Sequence, residues 1–594
     1  MNSKIIFKLR SALFSPNSKL ELWLRTLYHQ LNKTRIAFKI NDWLAKKSFI
    51  RWRKAQIEKP LPIVQDKKYQ PRVTFLVSYL KGRKSELIET LNSIQNLIGD
   101  NWEAIVISDH DNNAADLSTN LKPDPRITFS PPNIVNFDDV IMGEFIIFCQ
   151  AGDRFYKSLL NYFYFSLTDD EPADWYYFDC EYTNSKTHET YPLFKPPSLS
   201  PSMLLSINYL SRGFIRSSYV QESFAQIKTG INLLNIEYIL ALKLCEADGN
   251  IRNIPHLLVS QTDLATPETP EIKAIICNHL SHLGLEDMSA QSKTHGTRFT
   301  WQNKNSSVAI VIPTKNNRKL LEPWINSLLH KTSYTNFKIH LVDNNSDEAD
   351  TLDFYNKIRS NPKIQLHPYH QEFNYSEANN LGATQSDSNL ILFLNDDMEI
   401  IDPEWLTELV QWAERPEIGL VGTKLVRANR TIQHAGIIMG LNGFAGHIYL
   451  NAPEHYHGFF GSVDWYRDYL AVTGACQMMR REIFNDVGGF DEGFKLAFGD
   501  IDICLRIHKK GYRIVYTPFA SLFHYEGQSR GYATPPEDII KSYQKMESAL
   551  LTADPYFSPN LTGTRIPKCA MENTSDKNRT AQYETRKKFY SKQK

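Results

Sequence analysis

The chain of 594 residues has no CxxC pair among its seven cysteines (149, 180, 245, 277, 476, 504 and 569). That scatter argues against a zinc or disulfide framework and predicts reduced, mostly buried thiols, as in a cytosolic protein. No stretch reaches the roughly 18 consecutive apolar residues of a membrane span. The N-terminus lacks the sustained apolar core and small-residue cleavage site of a secretory leader, so none is expected. Neither GxGxxG nor GxxxxGKS/T occurs, which excludes the common glycine loops that cradle phosphates. Net charge is also nearly missing, at +1. What remains, 42% apolar and 22% charged residues, is the composition of a globular protein long enough for two or three domains.

The near-neutral total hides an asymmetry. Residues 1–54 hold thirteen Lys or Arg against only Glu21 and Asp42, so the rest of the chain is net acidic. Trp23, Phe38, Trp43, Phe49 and Trp52 are interleaved with those cations. The pattern of RIAFKINDWLAKKSFIRW predicts amphipathic helix, and its composition suits either an anionic membrane surface or a prefix packed on the first domain. The acidic body and the lack of any recognisable module argue against nucleic acid. The expected location is cytoplasmic, with peripheral contact at the inner face of the cell membrane through residues 1–54.

After a charged, Pro-bearing linker (58–72), strand and helix patterns alternate: RVTFLVSYL, SELIETLNSIQNL, WEAIVIS, and later GEFIIFC. The alternation restarts near Val308 with VAIVIP, LLEPWINSLLHKT, FKIHLVD and LILFLN. Such alternation predicts parallel βαβ units with right-handed crossovers. The restart is a repeat. Val73–Val77 matches Val308–Ile312, Leu91–Ile94 matches Ile325–Leu328, Asn101–Glu103 matches Asn336–Lys338, and Phe145–Gln150 matches Leu390–Asn395. A period of about 235 residues is too long for a solenoid and implies a duplicated domain. The expected organisation is a basic helical prefix and linker (1–70), a first α/β domain (71–295), a second (300–550) and a polar C-terminal extension (551–594), read as poorly ordered or superficial.

In the second copy three strands end in polar residues: Pro313-Thr314-Lys315-Asn316-Asn317, Asp343-Asn344-Asn345-Ser346-Asp347, and Asn395-Asp396-Asp397. In an open α/β sheet this edge is where ligands bind. Carboxylates delivered there suit Mg²⁺ or Mn²⁺ with substrate phosphates. A nucleotide across the edge would place Asp343 near base or ribose and Asp397 at the diphosphate metal. Farther on, Asp500 and Asp502 begin a helical run. Capping and the macrodipole claim one of them, Asp502, which leaves Asp500 for general-base work. His524 ends a strand-like run, where a lone histidine is more often structural than a ligand.

Taken together, VIPTKNN, LVDNNS, FNYSEANNLG, LFLNDDME, VTGACQMMRREIF, GGFDEGF and FGDIDICLR resemble the family 2 glycosyltransferases, including bacterial rhamnosyl and other polysaccharide sugar transferases. The resemblance covers about residues 306–532. It implies the GT-A fold, here as two tandem Rossmann-like, mostly parallel sheets, and an inverting, Mg²⁺- or Mn²⁺-assisted transfer from a nucleotide-sugar to a glycan or lipid-linked glycan hydroxyl. It further implies that Pro313, Thr314, Asn316, Asp343, Asn380, Asn395 and Asp396 line the nucleotide-sugar site. Asp397 and His524 are the implied metal ligands, and Asp500 the base. Two positions depart from the family pattern: Asn395 stands for the first Asp of DxD, and Gly499 for the Glu before the base.

The first copy resembles the family faintly. Gln150-Ala151-Gly152 stands where Asn395-Asp396-Asp397 stands in the second, leaving Asp153 one residue late. Only Glu237 is placed to stand for the base. A folded but silent domain is expected. Two other functions compete with transfer by the second copy. One is a non-catalytic glycan-binding scaffold, disfavoured by the retained Asp397 and Asp500. The other is a nucleotidyltransferase, disfavoured by the lack of a basic triphosphate loop.

Overall fold

The computed structural model describes residues 35–62, 69–108, 123–130, 143–167, 173–183, 189–224, 232–247, 249–525, 534–570, 581, 583, 584 and 587. Residues 1–34 of the basic prefix, part of the linker, the end of the SLFHYEGQSRG segment and most of the final tail lie outside these.

Two large mixed sheets share one topology. The first runs Ile127–Ser130, Trp102–Ser108, Val73–Tyr79, Phe145–Gln150, Phe214–Arg216, Trp175–Thr183, Ile251–Gln261, Arg154–Phe155. The second runs Ile364–Pro368, Phe337–Asp343, Val308–Thr314, Leu390–Leu394, Cys476–Arg480, Ile418–Val426, Arg513–His524, Met398–Ile400. In each, four parallel strands are followed by an antiparallel one, and a short edge strand closes antiparallel on the last long strand. Every residue of Val308–Thr314 and Leu390–Leu394 is buried, which explains their unbroken apolar runs: strands covered on both faces have no polar side to alternate with. Pro313 is tolerated because it sits one residue from the strand end, in register with Val342.

The copies are fused through polar knots as well as apolar packing. Asp468, 2% exposed, accepts hydrogen bonds from Ser200 Oγ (2.7 Å), Ser202 N (3.0 Å) and Arg513 Nε (2.9 Å). The described part of the prefix is a single helix, Arg35–Glu58. Its Ala45, Phe49 and Trp52 are buried, with Trp52 edge-on to Phe194 of the first copy (5.0 Å) and Phe49 against Phe459 of the second (5.7 Å). Among the described residues no helix is long and apolar enough to cross a membrane.

The reading of 551–594 as a poorly ordered or superficial extension is corrected for its first part. Asp554, Tyr556, Phe557, Ser558, Leu561, Ile566 and Cys569 are buried. Asn560 Nδ2 donates to Asp179 Oδ2 (2.7 Å) in the first copy, Asp554 Oδ2 accepts from Met439 N in the second (2.9 Å), and Cys569 N donates to Ser48 Oγ of the helix (3.0 Å). The segment is polar because it spends its polar atoms on both copies, a use that composition does not reveal.

Asp179 is fully buried and also accepts from Lys195 N (2.8 Å). Burial pushes its carboxyl up to about 7. The folded chain therefore keeps a proton that the unfolded chain gives up near pH 4, and stability from this site falls as pH rises toward 7. Urea unfolding should show the parent losing more stability than Asp179→Asn between pH 5 and pH 8. Parallel pH profiles would refute the assignment.

Candidate active site

The parallel register pairs Thr314 with Asp343 at the ends of adjacent strands, and Asn395-Asp396-Asp397 follows the next strand over. Thr314 Oγ1 donates to Asp396 Oδ2 at 2.8 Å, both side chains buried. The Asp343 carboxylate accepts from Ser346 Oγ and from Tyr355 OH (3.1 Å). Asn316, at φ +46°, ties two loops together: Nδ2 donates to Asp347 Oδ1 (2.6 Å), and Oδ1 accepts from Asp347 N (2.9 Å). These residues gather on one edge. Asn380 serves elsewhere: its amide donates to Phe490 O (2.9 Å) and accepts from Phe490 N (2.9 Å), so it pins the 490–492 turn to its helix.

Asp397 and His524 meet across the pairing of Met398 with His524. Each is 5% exposed. His524 Nε2 lies 3.2 Å from Asp397 Oδ1, yet that oxygen accepts no hydrogen bond, and His524 Nδ1 has no partner either. In the tautomer in which Asn395 Nδ2 donates to Nε2 (3.4 Å), two lone-pair atoms face each other inside the protein. Buried acceptors of this kind call for a donor or a cation. A carboxylate oxygen and an imidazole nitrogen are fit ligands for a divalent ion. A cavity of about 420 Å³ opens beside Asp397, with Lys319, His330 and Lys331 in its wall.

Asp500 starts the helix Gly499–Lys509, entered through Phe498 at φ +70°. Its Oδ2 accepts from Gly474 N (2.8 Å) and its Oδ1 from Ile501 N (2.9 Å). Burial pushes the carboxyl above its ordinary pKa while those N–H groups pull it down. Asp502 pairs with Arg506 one turn on (2.8 Å) and is structural. The glycine before Asp500 has a steric cause: a Cβ on Gly499 would come within 2.9 Å of Ser376 Oγ.

Two groups escaped the sequence reading. His434 is fully buried; its Nδ1 lies 2.8 Å from His447 Nδ1, and its Nε2 accepts from Thr473 N (3.4 Å). Burial, then His447 and His524 as neighbours, hold its imidazole neutral. No spacing in HAGIIMG marks this pairing. Asp538 is fully buried and takes three backbone N–H groups, from Lys495, Leu496 and Ala497, at 2.8 Å each. It thereby fixes the loop that leads into Asp500, from a helix 38 residues downstream that carries no motif.

The first copy keeps carboxylates in corresponding corners. Asp153 immediately precedes the closing strand Arg154–Phe155 as Asp397 precedes Met398–Ile400. Glu237, on the helix before the last long strand, accepts from Arg212 N (2.6 Å) as Asp500 accepts from Gly474 N. Arg212 and Gly474 each lie two residues before their strand.

Residues 309–488 match the family model described as glycosyl transferase family 2. The chain is 33% identical over 438 residues to the O-antigen biosynthesis protein RfbC of Myxococcus xanthus, covering 71% of this chain and 34% of that protein. A 60-residue stretch, 10% of this chain and 20% of the other, is 38% identical to N-acetylglucosaminyl-diphospho-decaprenol L-rhamnosyltransferase of Mycobacterium tuberculosis. The chain spans about a third of the length of the first curated relatives it matches. Among solved structures, GalNAc-T7 with UDP, GalNAc and Mn²⁺ aligns at TM-score 0.35 and 16% identity over 41% of this chain and 48% of that one.

The buried Thr314–Asp396 hydrogen bond yields a stability test. Thr314→Val leaves a buried carboxylate oxygen short of a donor and should cost about 1–3 kcal/mol in urea unfolding, whereas Thr314→Ser should recover most of it. Equal stability of the valine variant would remove this bond from the site's support.

Proposed function

Residues 309–488 belong to glycosyl transferase family 2, and from that premise we propose that the second copy transfers a sugar, with inversion, from a nucleotide-sugar to a glycan hydroxyl. The supporting observation is the pairing of two carboxylates in opposite states. Asp397 Oδ1 is buried and accepts no hydrogen bond although His524 Nε2 lies 3.2 Å away, while Asp500 is oriented by backbone N–H groups at a helix start.

Asp397 and His524 would hold Mg²⁺ or Mn²⁺, which neutralises charge on the departing nucleoside diphosphate. Thr314, Asp343 and Asn316 shape the edge on which the nucleotide lies, and Asp396, tied to Thr314, keeps that edge in place. The acceptor oxygen forms its bond to the anomeric carbon from the face opposite the leaving group. The bond from that carbon to the phosphate oxygen breaks with its electron pair, and the hydroxyl proton passes to Asp500. The raised pKa of Asp500 suits an acceptor of that proton. Similarity to a protein named for O-antigen biosynthesis supports a bacterial surface polysaccharide as the acceptor class. On this reading 300–550 is the catalytic domain and 71–295 a non-catalytic one. The alternative, a glycan-binding scaffold, gives no reason to leave Asp397 Oδ1 without a donor.

Asp500→Asn should lower transfer about 10²- to 10⁴-fold while nucleotide-sugar binding persists. Asp397→Asn and His524→Ala should instead lose the Mn²⁺-dependent part of that binding in calorimetry. Unchanged turnover in Asp500→Asn would sink the base assignment, and no binding of any UDP-, GDP- or dTDP-sugar by the parent would favour the scaffold.

Membrane contact belongs to the helix Arg35–Glu58. Opposite its buried face it exposes Ile36, Ile40, Trp43, Ile50 and Ile57, each more than half accessible, among exposed Lys39, Lys47, Arg51 and Lys54. The positions three residues after Ile36, Trp43 and Ile50 are Lys39, Lys46 and Arg53, so the second apolar position of a coiled-coil heptad is missing. Apolar side chains among cations are complementary to an anionic lipid surface. Trp43→Glu combined with Ile50→Glu should abolish co-sedimentation with phosphatidylserine vesicles. Retained binding, or equal binding to neutral vesicles, would exclude this surface.

A further inference from the structure

Arg212 is a fully buried arginine in a left-handed backbone conformation, φ +62°. That conformation is uncommon for a residue with a side chain, and a buried guanidinium is costly unless paired. Both oddities have the same explanation in its surroundings. Nε donates to Asp153 Oδ2 at 2.7 Å. Nη1 lies 4.0 Å from Glu237 Oε2, and Nη2 3.5 Å from Asp263 Oδ1. Asp153 and Glu237 are as buried as the arginine, and Asp263 stands exposed at the rim. The remaining buried cation nearby, Lys195, is occupied with Ser211 O at 3.5 Å. One guanidinium thus gathers three carboxylates from three separate segments: the end of the fourth strand, the helix before the last long strand, and the loop after that strand.

Among the described residues the second copy has no such cation. Gly474, which donates its N–H to Asp500 as Arg212 donates to Glu237, has no side chain to send toward the carboxylates. The first copy therefore did not lose its acidic corner, contrary to what Gln150-Ala151-Gly152 suggests. It filled it. With the guanidinium in place the residues do not fit a metal: Asp153 Oδ2 is shared between Arg212 Nε and Gln150 N, Oδ1 accepts from Thr262 N, and a fixed positive charge faces the Glu237 carboxylate.

We infer that Arg212 is an internal counter-cation closing a divalent-cation site in the first copy, and that removing its side chain opens that site to Mg²⁺ or Mn²⁺. The inference rests on the metal reading of the second copy only for its interpretation, since the counting below treats the two copies separately. Glycine is the natural replacement, because it accepts the left-handed backbone without strain and restores what the second copy has at Gly474.

The experiment counts Mn²⁺ bound to the full chain by electron paramagnetic resonance of the free ion, alongside thermal unfolding. Arg212→Gly should bind one more equivalent than the parent, and its melting temperature, lowered without metal, should rise on adding Mn²⁺. The extra equivalent should vanish in Arg212→Gly/Asp153→Asn. A parent binding one ion and the variant two supports both copies' assignments. A parent binding none and the variant one keeps this inference and refutes the metal of the second copy. Equal stoichiometry in parent and variant overturns the inference. If Arg212→Gly does not fold, Arg212→Asn, which also tolerates the left-handed backbone, carries the same count. Failure of both to fold in excess Mn²⁺ also overturns it, because the ion is expected to replace the lost charge.

Discussion

Carboxylates buried at strand ends constrain everything else in this protein. A sheet covered on both faces delivers its last residues into a dry environment, where an uncompensated negative charge is untenable. The chain meets that constraint in several ways. Asp468 is met by two serines and an arginine from different copies, Asp538 by three backbone amides, and Asp500 by two. Asp153 and Glu237 share a guanidinium. At Asp397 the facing imidazole lies 3.2 Å away without donating, and a cavity opens beside the carboxylate; that combination distinguishes a place for binding from a place for stability.

The two copies make this contrast internal to one molecule. They have the same strand order, the same closing strand and a helix carboxylate held by a backbone N–H in the same corner. One of the differences between their sites lies two residues before a strand, arginine in the first and glycine in the second. A side chain swinging in or being absent there changes the electrostatic character of the whole edge without altering the fold beneath it.

Much of this was legible in the sequence. Unbroken apolar runs gave the strands, because doubly covered strands have no polar face. The ordered matches between Val73–Gln150 and Val308–Asn395 gave the duplication, and the abrupt polar ends gave Thr314, Asp343 and Asp397. Other residues were hidden for definable reasons. Asp538 and Asp554 act on segments far away in the chain, so neither spacing nor motif marks them. Asn380 sits inside a motif of the right family but turns its amide to the backbone of Phe490. Arg212 was invisible because a buried arginine looks, in sequence, like any surface arginine.

The helix Arg35–Glu58 has a consequence in time. Its inner face needs Phe459, made about 400 residues after Phe49, and Cys569, made later still. At translation rates of about 5–20 residues per second, Phe49 waits roughly 20–80 s for that ring. Trp52 meets Phe194 of the first copy well before that, so the helix can dock in two stages, on the first copy and then, through Phe49, on the second.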